Sequence, residues 1–419
     1  MTTPRESSSR PADPGFAVAA TLAAVALFLA GWAVLHRGYF THHPIVDTPV
    51  YERYGSAMDD GQMPYRDFEL EYPPGALPVF LAPALGGARG DTFRLRFEAL
   101  MAFFGEAMIV CAAIALVALG ASRGRLLAVL GFVAIAPVAL GPVVLSRFDL
   151  WPAALTAAAL AALVSGRLRL GHLALGAAAA AKLYPAVLIP VAVAYVWRRQ
   201  GRAEALVCCG ILLGLLALTF GPFLILAPDG LWHSFWNQAS RPLQIESLGS
   251  GLLLAAHHVF GTAVTMDSSH GSQNLAGSVP DALAIAQTVL QAVVLIATWT
   301  LFARGPATRD RLVLASGASL VAFVALGKVL SPQFLIWLIP VVPLVRGRRG
   351  LAVSAVLAAA LVLTQLWFPY RYWQLALHFG ALQSWLVLAR DLVLVGLLFV
   401  LMLPLRDGDP DRLATRRPA

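Results

Sequence analysis

Lys182 and Lys328 are the only lysines in the chain, and both interrupt apolar sequence, GAAAAAKLYPAVLIP and VAFVALGKVLSPQFLIW. A cation in hydrocarbon is costly, so it faces a polar cavity, pairs with a carboxylate or holds an anion. The small residues before Lys182 let helices approach closely, and Tyr184 and Pro185 follow it. Three readings of Lys182 stand together: snorkelling, pairing with a carboxylate such as Glu106, and binding a phosphate as a point charge. Lys328 makes a similar case, with Ser331 and Gln333 close by and Pro332 freeing backbone groups.

The next candidates lie in polar segments. ASRPLQIESLGS brings Arg241, Gln244 and Glu246 together within six residues. A guanidinium donates two parallel hydrogen bonds and so suits a phosphate. Just upstream, Trp232, His233 and Trp236 read either as a sugar-stacking surface that binds an acceptor or as an interface anchor. The later WFPYRYW, 367–373, reads first as an aromatic belt and second as a sugar platform. Asp47 lies about twelve residues beyond the first apolar run, in HHPIVDTPVYERY. A carboxylate there can take a proton from a hydroxyl or bind a metal, and on spacing alone it reads equally as a solvated loop residue. Tyr51 and Tyr54 share one helical face and suit anchoring at headgroup depth.

Glu69 and Glu71 could assist a metal or a sugar hydroxyl, although solvent exposure or local pairing explains them as well. Arg147 and Asp149, in VVLSRFDLWPAAL, either pair with each other or form the polar floor of a chamber. His42 and His43 lack a metal-ligand spacing and read as loop residues. Cys111, Cys208 and Cys209 all sit in apolar sequence and suggest neither a disulfide framework nor a metal site.

These residues must be positioned by membrane helices. Hydrophobic residues make up 58% of the 419 and charged residues 13%, about half the share usual in soluble domains. The net charge of +8 is spread through arginine-rich turns with no basic domain, which argues for positive-inside flanks and against nucleic-acid binding. No soluble catalytic domain or internal repeat is evident. Strand alternation is nowhere sustained, which argues against a β-barrel. The expected fold is all-α and polytopic. Candidate spans fall at 16–35, 74–86, 97–120, 126–145, 150–165, 171–197, 205–227, 281–303, 312–329, 333–345, 350–368 and 382–403, about twelve in all. Residues 16–403 form one membrane domain between a disordered tail at 1–15 and a cytoplasmic tail at 404–419. Both termini are assigned to the cytoplasm, and the run from Phe16 is read as a retained first helix.

Outer loops are expected at 36–73 and 228–280. The first holds three arginines and seven carboxylates and reads as short interfacial helices. Residues 250–263 are too short for a span and suit a surface-lying or re-entrant helix. The segment 265–280 is polar and rich in Gly and Ser. The basic turns 122–125 and 166–169 face outward in this count, against the positive-inside rule. A broken helix at Lys182 repairs one of them and leaves the face of 146–149 open.

Taken in order, D-x-x-x-Y at 47–51, MPYRDFELEYPPGALPVF, SRFDLWP, AAAKLYPAVLIP, RPLQIESLGS and KVLSPQFLIWLIP resemble the GT-C integral-membrane glycosyltransferases. The chain is most similar to the bacterial mannosyltransferase-like group, including family 87, that uses polyprenyl-phosphate sugars. The resemblance spans residues 16–403 and implies an inverting transferase without a Rossmann domain. It makes Asp47 the catalytic carboxylate, although Thr48 and Pro49 directly after it depart from the pattern and leave Asp59 or Glu71 as alternatives. It points to Lys182, Arg241 and Lys328 for a donor phosphate, with Glu71, Arg147, Asp149, Tyr184, Gln244, Glu246 and Gln333 in support. The implied partners are a polyprenyl-phosphate sugar, a glycan or glycolipid acceptor and membrane lipid. No cofactor is required; the carboxylates permit a divalent cation, but no spacing demands one. Heavy Ala, Gly and Arg usage resembles an actinobacterial plasma-membrane protein. The competing readings are a flippase for a lipid-linked sugar, with broken helices that move, and a non-catalytic lipid-binding assembly protein.

Overall fold

A computed structural model describes residues 12–42 and 45–406. His43 and most of the two expected tails lie outside that range. The first half of the chain comprises α1 (Pro14–Leu35), α2 (Thr48–Asp59), α3 (Leu77–Ala84), α4 (Gly90–Ala118), α5 (Arg123–Leu140), α6 (Leu150–Val164), α7 (Leu168–Ala181) and α8 (Ile189–Gln200). The second half comprises α9 (Arg202–Leu226), α10 (Pro228–Ala239), α11 (Leu248–Phe260), α12 (Ser278–Arg304), α13 (Arg309–Ala325), α14 (Gly347–Gln365), α15 (Tyr372–His378) and α16 (Ala381–Arg406).

The chain is a multi-pass membrane protein, but the expectation of about twelve spans is wrong. Seven described helices are long and apolar enough to cross a bilayer: α1, α4, α5, α9, α12, α14 and α16. The other apolar stretches are shortened by proline and by helix breaks. Residues 74–84 carry Pro74, Pro78 and Pro83, and 332–344 carry Pro332, Pro340 and Pro343; the latter runs largely as short 3-10 turns. The expected span 171–197 divides at Lys182. There α7 ends and the backbone becomes extended, and a 3-10 turn, Tyr184–Leu188, leads into α8. In the interior, α6, α13 and residues 332–345 are buried almost throughout, whereas α9 is nearly bare. Bare apolar helix is the face turned to lipid.

The described residues are not purely helical. Three short strands, β1 (Leu243–Gln244), β2 (Thr265–Ser269) and β3 (Ser272–Ala276), form an antiparallel sheet in the order β1-β3-β2. His270 and Gly271 turn the β2–β3 hairpin with φ of 55° and 65°, the two positive values of a type I′ loop. Gln244 pairs with Asn274 across the sheet, so the hairpin braces the Arg241–Glu246 segment. As expected for 250–263, a short helix, α11, follows.

Side-chain contacts assign the two ends of the bundle. Arg123 binds Asp13 at the start of α1, Arg309 donates to Ala118 O, and Arg346 reaches Asp310. Arg169 makes two 2.8 Å bonds to Glu204. The turns 122–125 and 166–169 therefore lie at the same basic end as 202–204, 304–311 and 345–349. This corrects the count that turned them outward and agrees with positive-inside sidedness. Asp47, the 146–149 turn and the small sheet lie at the opposite end.

There α2 is pinned onto its neighbours. Glu52 accepts from Gly90 N, and Asp59 accepts from Gly87 N, both at 2.8 Å. Tyr51 stacks on Phe80 at 4.8 Å and meets Phe148 edge-on. Tyr51 and Tyr54 are both buried, so neither serves as the headgroup anchor their spacing suggested. Gly75 lies directly against the backbone of Ala180 and Ala181, where a Cβ has no room. Gly75→Ala must therefore push the start of α3 off the end of α7, next to Lys182. A cost of about 1–3 kcal/mol is expected for such overpacking, read as a lower melting temperature in detergent.

Candidate active site

Asp47 stands immediately before α2 without capping it. Its carboxylate forms an ion pair with the buried guanidinium of Arg147 and accepts a 3.3 Å bond from Tyr51 one turn later. Arg147 therefore pairs across a hundred residues with Asp47, where the sequence alone offered Asp149 or a chamber floor. Asp149 and Glu246 are still close enough to act on the Arg147 charge.

Asp149 has its own partners. Lys182 Nζ donates to Asp149 Oδ1 at 2.7 Å, and Trp337 Nε1 donates to the same oxygen at 2.6 Å. The break after Ala181 aims the ammonium inward, into a box of Phe148, Trp337, Tyr72 and Phe334 at 4.5 to 5.9 Å from the ring centres. Such rings favour a cation over bare hydrocarbon. Tyr184 stacks on Trp337 at 4.0 Å, and its hydroxyl lies 3.2 Å from Thr156 Oγ1. Tyr184 thus shapes the box and does not line an open surface. Asp149 takes the place proposed for Glu106.

Arg241 completes the group of cations. Burial pulls its guanidinium below the usual arginine range, while Tyr72, Glu71 and Glu246 oppose that shift. Burial also raises the Glu71 carboxyl, against Arg241 and Arg53. Gln244 Nε2 donates to Glu246 Oε2 at 2.6 Å and to Ser331 Oγ at 3.0 Å. Lys328 sits half-buried at the rim and donates to Ala239 O at 2.8 Å, with Arg241 acting on its charge. Gln333 is partly buried in the 3-10 turn that also carries Phe334 and Trp337. Trp232, His233 and Trp236 are exposed on α10, and the two indoles lie 6.5 Å apart. They are not part of this cluster.

Four buried polar atoms of the cluster, Arg147 Nε, Arg241 Nε, Asp149 Oδ2 and Glu246 Oε1, find no hydrogen-bond partner among the described residues. Buried polar atoms without partners cost stability, and they mark places where a ligand or water supplies the missing bond. The arrangement offers an anion several converging cations beside one partly exposed carboxylate. It does not suit a resident divalent cation: among the described residues no three His, Cys, Asp or Glu side chains converge, and Asp47 and Asp149 each face a cation. Sequence reasoning missed Trp337 and Tyr72, which read as ordinary apolar or loop residues. It also missed the buried pair Arg390–Asp391 inside α16.

Glu246 has a measurable consequence. Burial pushes its carboxyl from an ordinary 4.5 up to about 8, against the pull of Arg390 and Arg147. Between those values the folded chain keeps a proton that the unfolded chain releases, so stability falls as pH rises. The melting temperature in detergent is expected to drop between pH 5 and 8. Glu246→Gln, uncharged throughout, should flatten that part of the curve.

Among curated proteins, no match was found. Among solved structures, the chain is similar to ArnT from Cupriavidus metallidurans in the apo state, with 15% identity, 94% of this chain and 78% of that chain covered, and a TM-score of 0.48. Residues 70–332 match the family model described as Glycosyltransferase family 87 and take in the site segments from Glu71 to Pro332. That match covers more than half of the sequence, and the chain belongs to glycosyltransferase family 87, membrane glycosyltransferases of the GT-C type that act on a lipid-linked sugar donor.

Proposed function

We propose that the protein is an inverting glycosyltransferase that moves a sugar, mannose in the first instance, from a polyprenyl phosphate to a glycan or glycolipid acceptor at the outer face of the membrane. The observation that carries this reading is the meeting of Asp47 with Arg147, in one cluster with Lys182 and Arg241. The acidic loop thereby supplies a base beside cations suited to a phosphate. The end of the bundle opposite the basic turns fits an outward-facing site.

Asp47 takes the proton from the acceptor hydroxyl. The hydroxyl oxygen attacks the anomeric carbon from the face opposite the phosphate, and the bond from that carbon to the phosphate oxygen breaks. One displacement inverts the anomeric centre. Lys182, Arg241 and, at the rim, Lys328 receive the charge that develops on the leaving phosphate, where preorganised cations act most strongly. Before the donor arrives Arg147 covers Asp47; the incoming phosphate competes for the guanidinium and releases the carboxylate. Trp232, His233 and Trp236 offer an acceptor surface outside this cluster. The isoprenoid tail stays in lipid, so no nucleotide-sugar domain is needed.

The test is transfer from radiolabelled polyprenyl-phospho-mannose by purified protein, with the product's anomeric configuration read by NMR. Transfer with inversion supports the reading. Retention of configuration, or movement of the intact lipid-linked sugar across vesicles without transfer, would replace it.

A further inference from the structure

Arg390 and Asp391 lie about two and a half turns into α16, in one of the most apolar helices of the chain, and neither has any exposed surface. Arg390 Nε meets Asp391 Oδ1 at 2.6 Å. A buried ion pair of this kind seldom stabilises a fold more than apolar residues of the same size would. Its reason therefore has to be sought in what it holds.

It holds the site. Arg390 donates to the backbone carbonyl of Glu246 at 2.6 Å, and its guanidinium lies 5.8 Å from the Trp367 ring. Asp391 lies against Gly251 of α11, where any side chain would come within about van der Waals distance of the carboxylate. From the other side, Gln287 of α12 accepts from Gly249 N at 2.8 Å and donates to Gly327 O at 3.0 Å. Ser250 Oγ donates to Gln244 O at 2.7 Å. The strand-and-turn segment 241–251 is thus clamped between α12 and α16. The Glu246 side chain, fixed by that clamp, is close enough to act on Arg147, the partner of Asp47.

We infer that Arg390, charge-balanced by Asp391, is a positioning residue: it fixes Glu246 and the segment 241–251 so that Arg241 and Arg147 converge beside Asp47. Arg390 touches neither Asp47 nor the space between the cations, so its effect passes through Glu246. The kinetic part of this inference rests on the proposed transfer reaction; the structural part does not.

The double variant Arg390→Met/Asp391→Leu removes both charges together and leaves no unpaired ion in the helix. Hydrogen exchange of the full-length protein in detergent then reads the segment directly. Its reporter amides are Gln244 N on Lys328 O, Ile245 N on Gln273 O and Gly249 N on the Gln287 side chain. They are expected to exchange at least tenfold faster than in wild type, with the melting temperature held within a few degrees. In the transfer assay kcat falls at least tenfold, while KM for polyprenyl-phospho-mannose changes less than threefold. Arg390→Lys keeps the charge and one donor and should return both readouts to within about threefold of wild type, given that the ammonium replaces the fork at a single point.

Unchanged exchange across 243–251 would overturn the inference, as would faster exchange with wild-type kcat. If the double variant fails to fold, the milder neutral pair Arg390→Gln/Asp391→Asn decides: it is expected to speed exchange across 243–251, and exchange as slow as wild type in that variant would also overturn the inference. A wild-type protein that transfers nothing from polyprenyl-phospho-mannose counts against the proposed function alone, since the exchange measurement stands without substrate.

Discussion

Asp47→Asn is expected to abolish transfer while leaving donor binding intact. A positioned general base contributes about 10²- to 10⁴-fold, and an amide of the same shape cannot accept the proton. The variant should fold, because Asp47 is only partly buried and the neutral amide can still accept from Arg147 and Tyr51. The measurement is single-turnover transfer from polyprenyl-phospho-mannose, with binding of polyprenyl phosphate followed separately by thermal shift. A fall in kcat of a hundredfold or more with an unchanged shift meets the expectation. Equal turnover in the two proteins removes Asp47 from the mechanism and leaves Asp59 or Glu71 to be tried. Asp59 is the weaker alternative, because its carboxylate is already spent on Gly86 N and Gly87 N in the turn before α4.

Lys182→Met has the second large effect, and it divides into two parts. The first is stability. Asp149 is 1% exposed at its side chain and keeps only Trp337 once the ammonium is gone. Removing one partner of a buried pair costs about 3–5 kcal/mol when the remaining charge is left uncompensated, and the nearby Arg147 charge puts the expected loss at the lower end of that range. The second part is chemistry, since the proposed phosphate loses its nearest buried ammonium. Asp149→Asn/Lys182→Met separates them. The neutral pair should recover most of the lost melting temperature, whereas transfer should stay at least tenfold down. Recovery of both together would make Lys182 a structural cation only.

The individual segments of the site were legible, but their pairings were not. Asp47, Lys182, Arg241 and Glu246 stand out because each is a charge in or beside apolar sequence. What no local pattern encodes is that Asp47 meets Arg147 and Lys182 meets Asp149. Those pairings need the fold, in which α2 is laid over α3 and the turn before α6. The excess of expected spans has a local cause. Hydropathy counts proline as a small debit, although Pro185, Pro332 and Pro340 stop or tighten a helix outright. The sidedness of 122–125 and 166–169 was misjudged because 74–86, counted as a crossing, holds only the short helix α3, and that one false crossing reverses both turns. Arg390 and Asp391 escaped notice because the apolar residues around them in the run 382–403 outweigh two charged residues in a hydropathy average. The small sheet was missed because SSHGSQN reads as a polar loop; the available signal was Gly271, a residue suited to the tight hairpin turn found there.

The most direct measurement is an electron cryomicroscopy structure of the full chain in nanodiscs with polyprenyl phosphate bound. The phosphate oxygens are expected within hydrogen-bond distance of Lys182 or Arg241, with Asp47 turned toward the same space and Arg147 drawn from it toward the phosphate. A phosphate seated at the basic end of the bundle, or parted from Asp47 by packed helix, would contradict it.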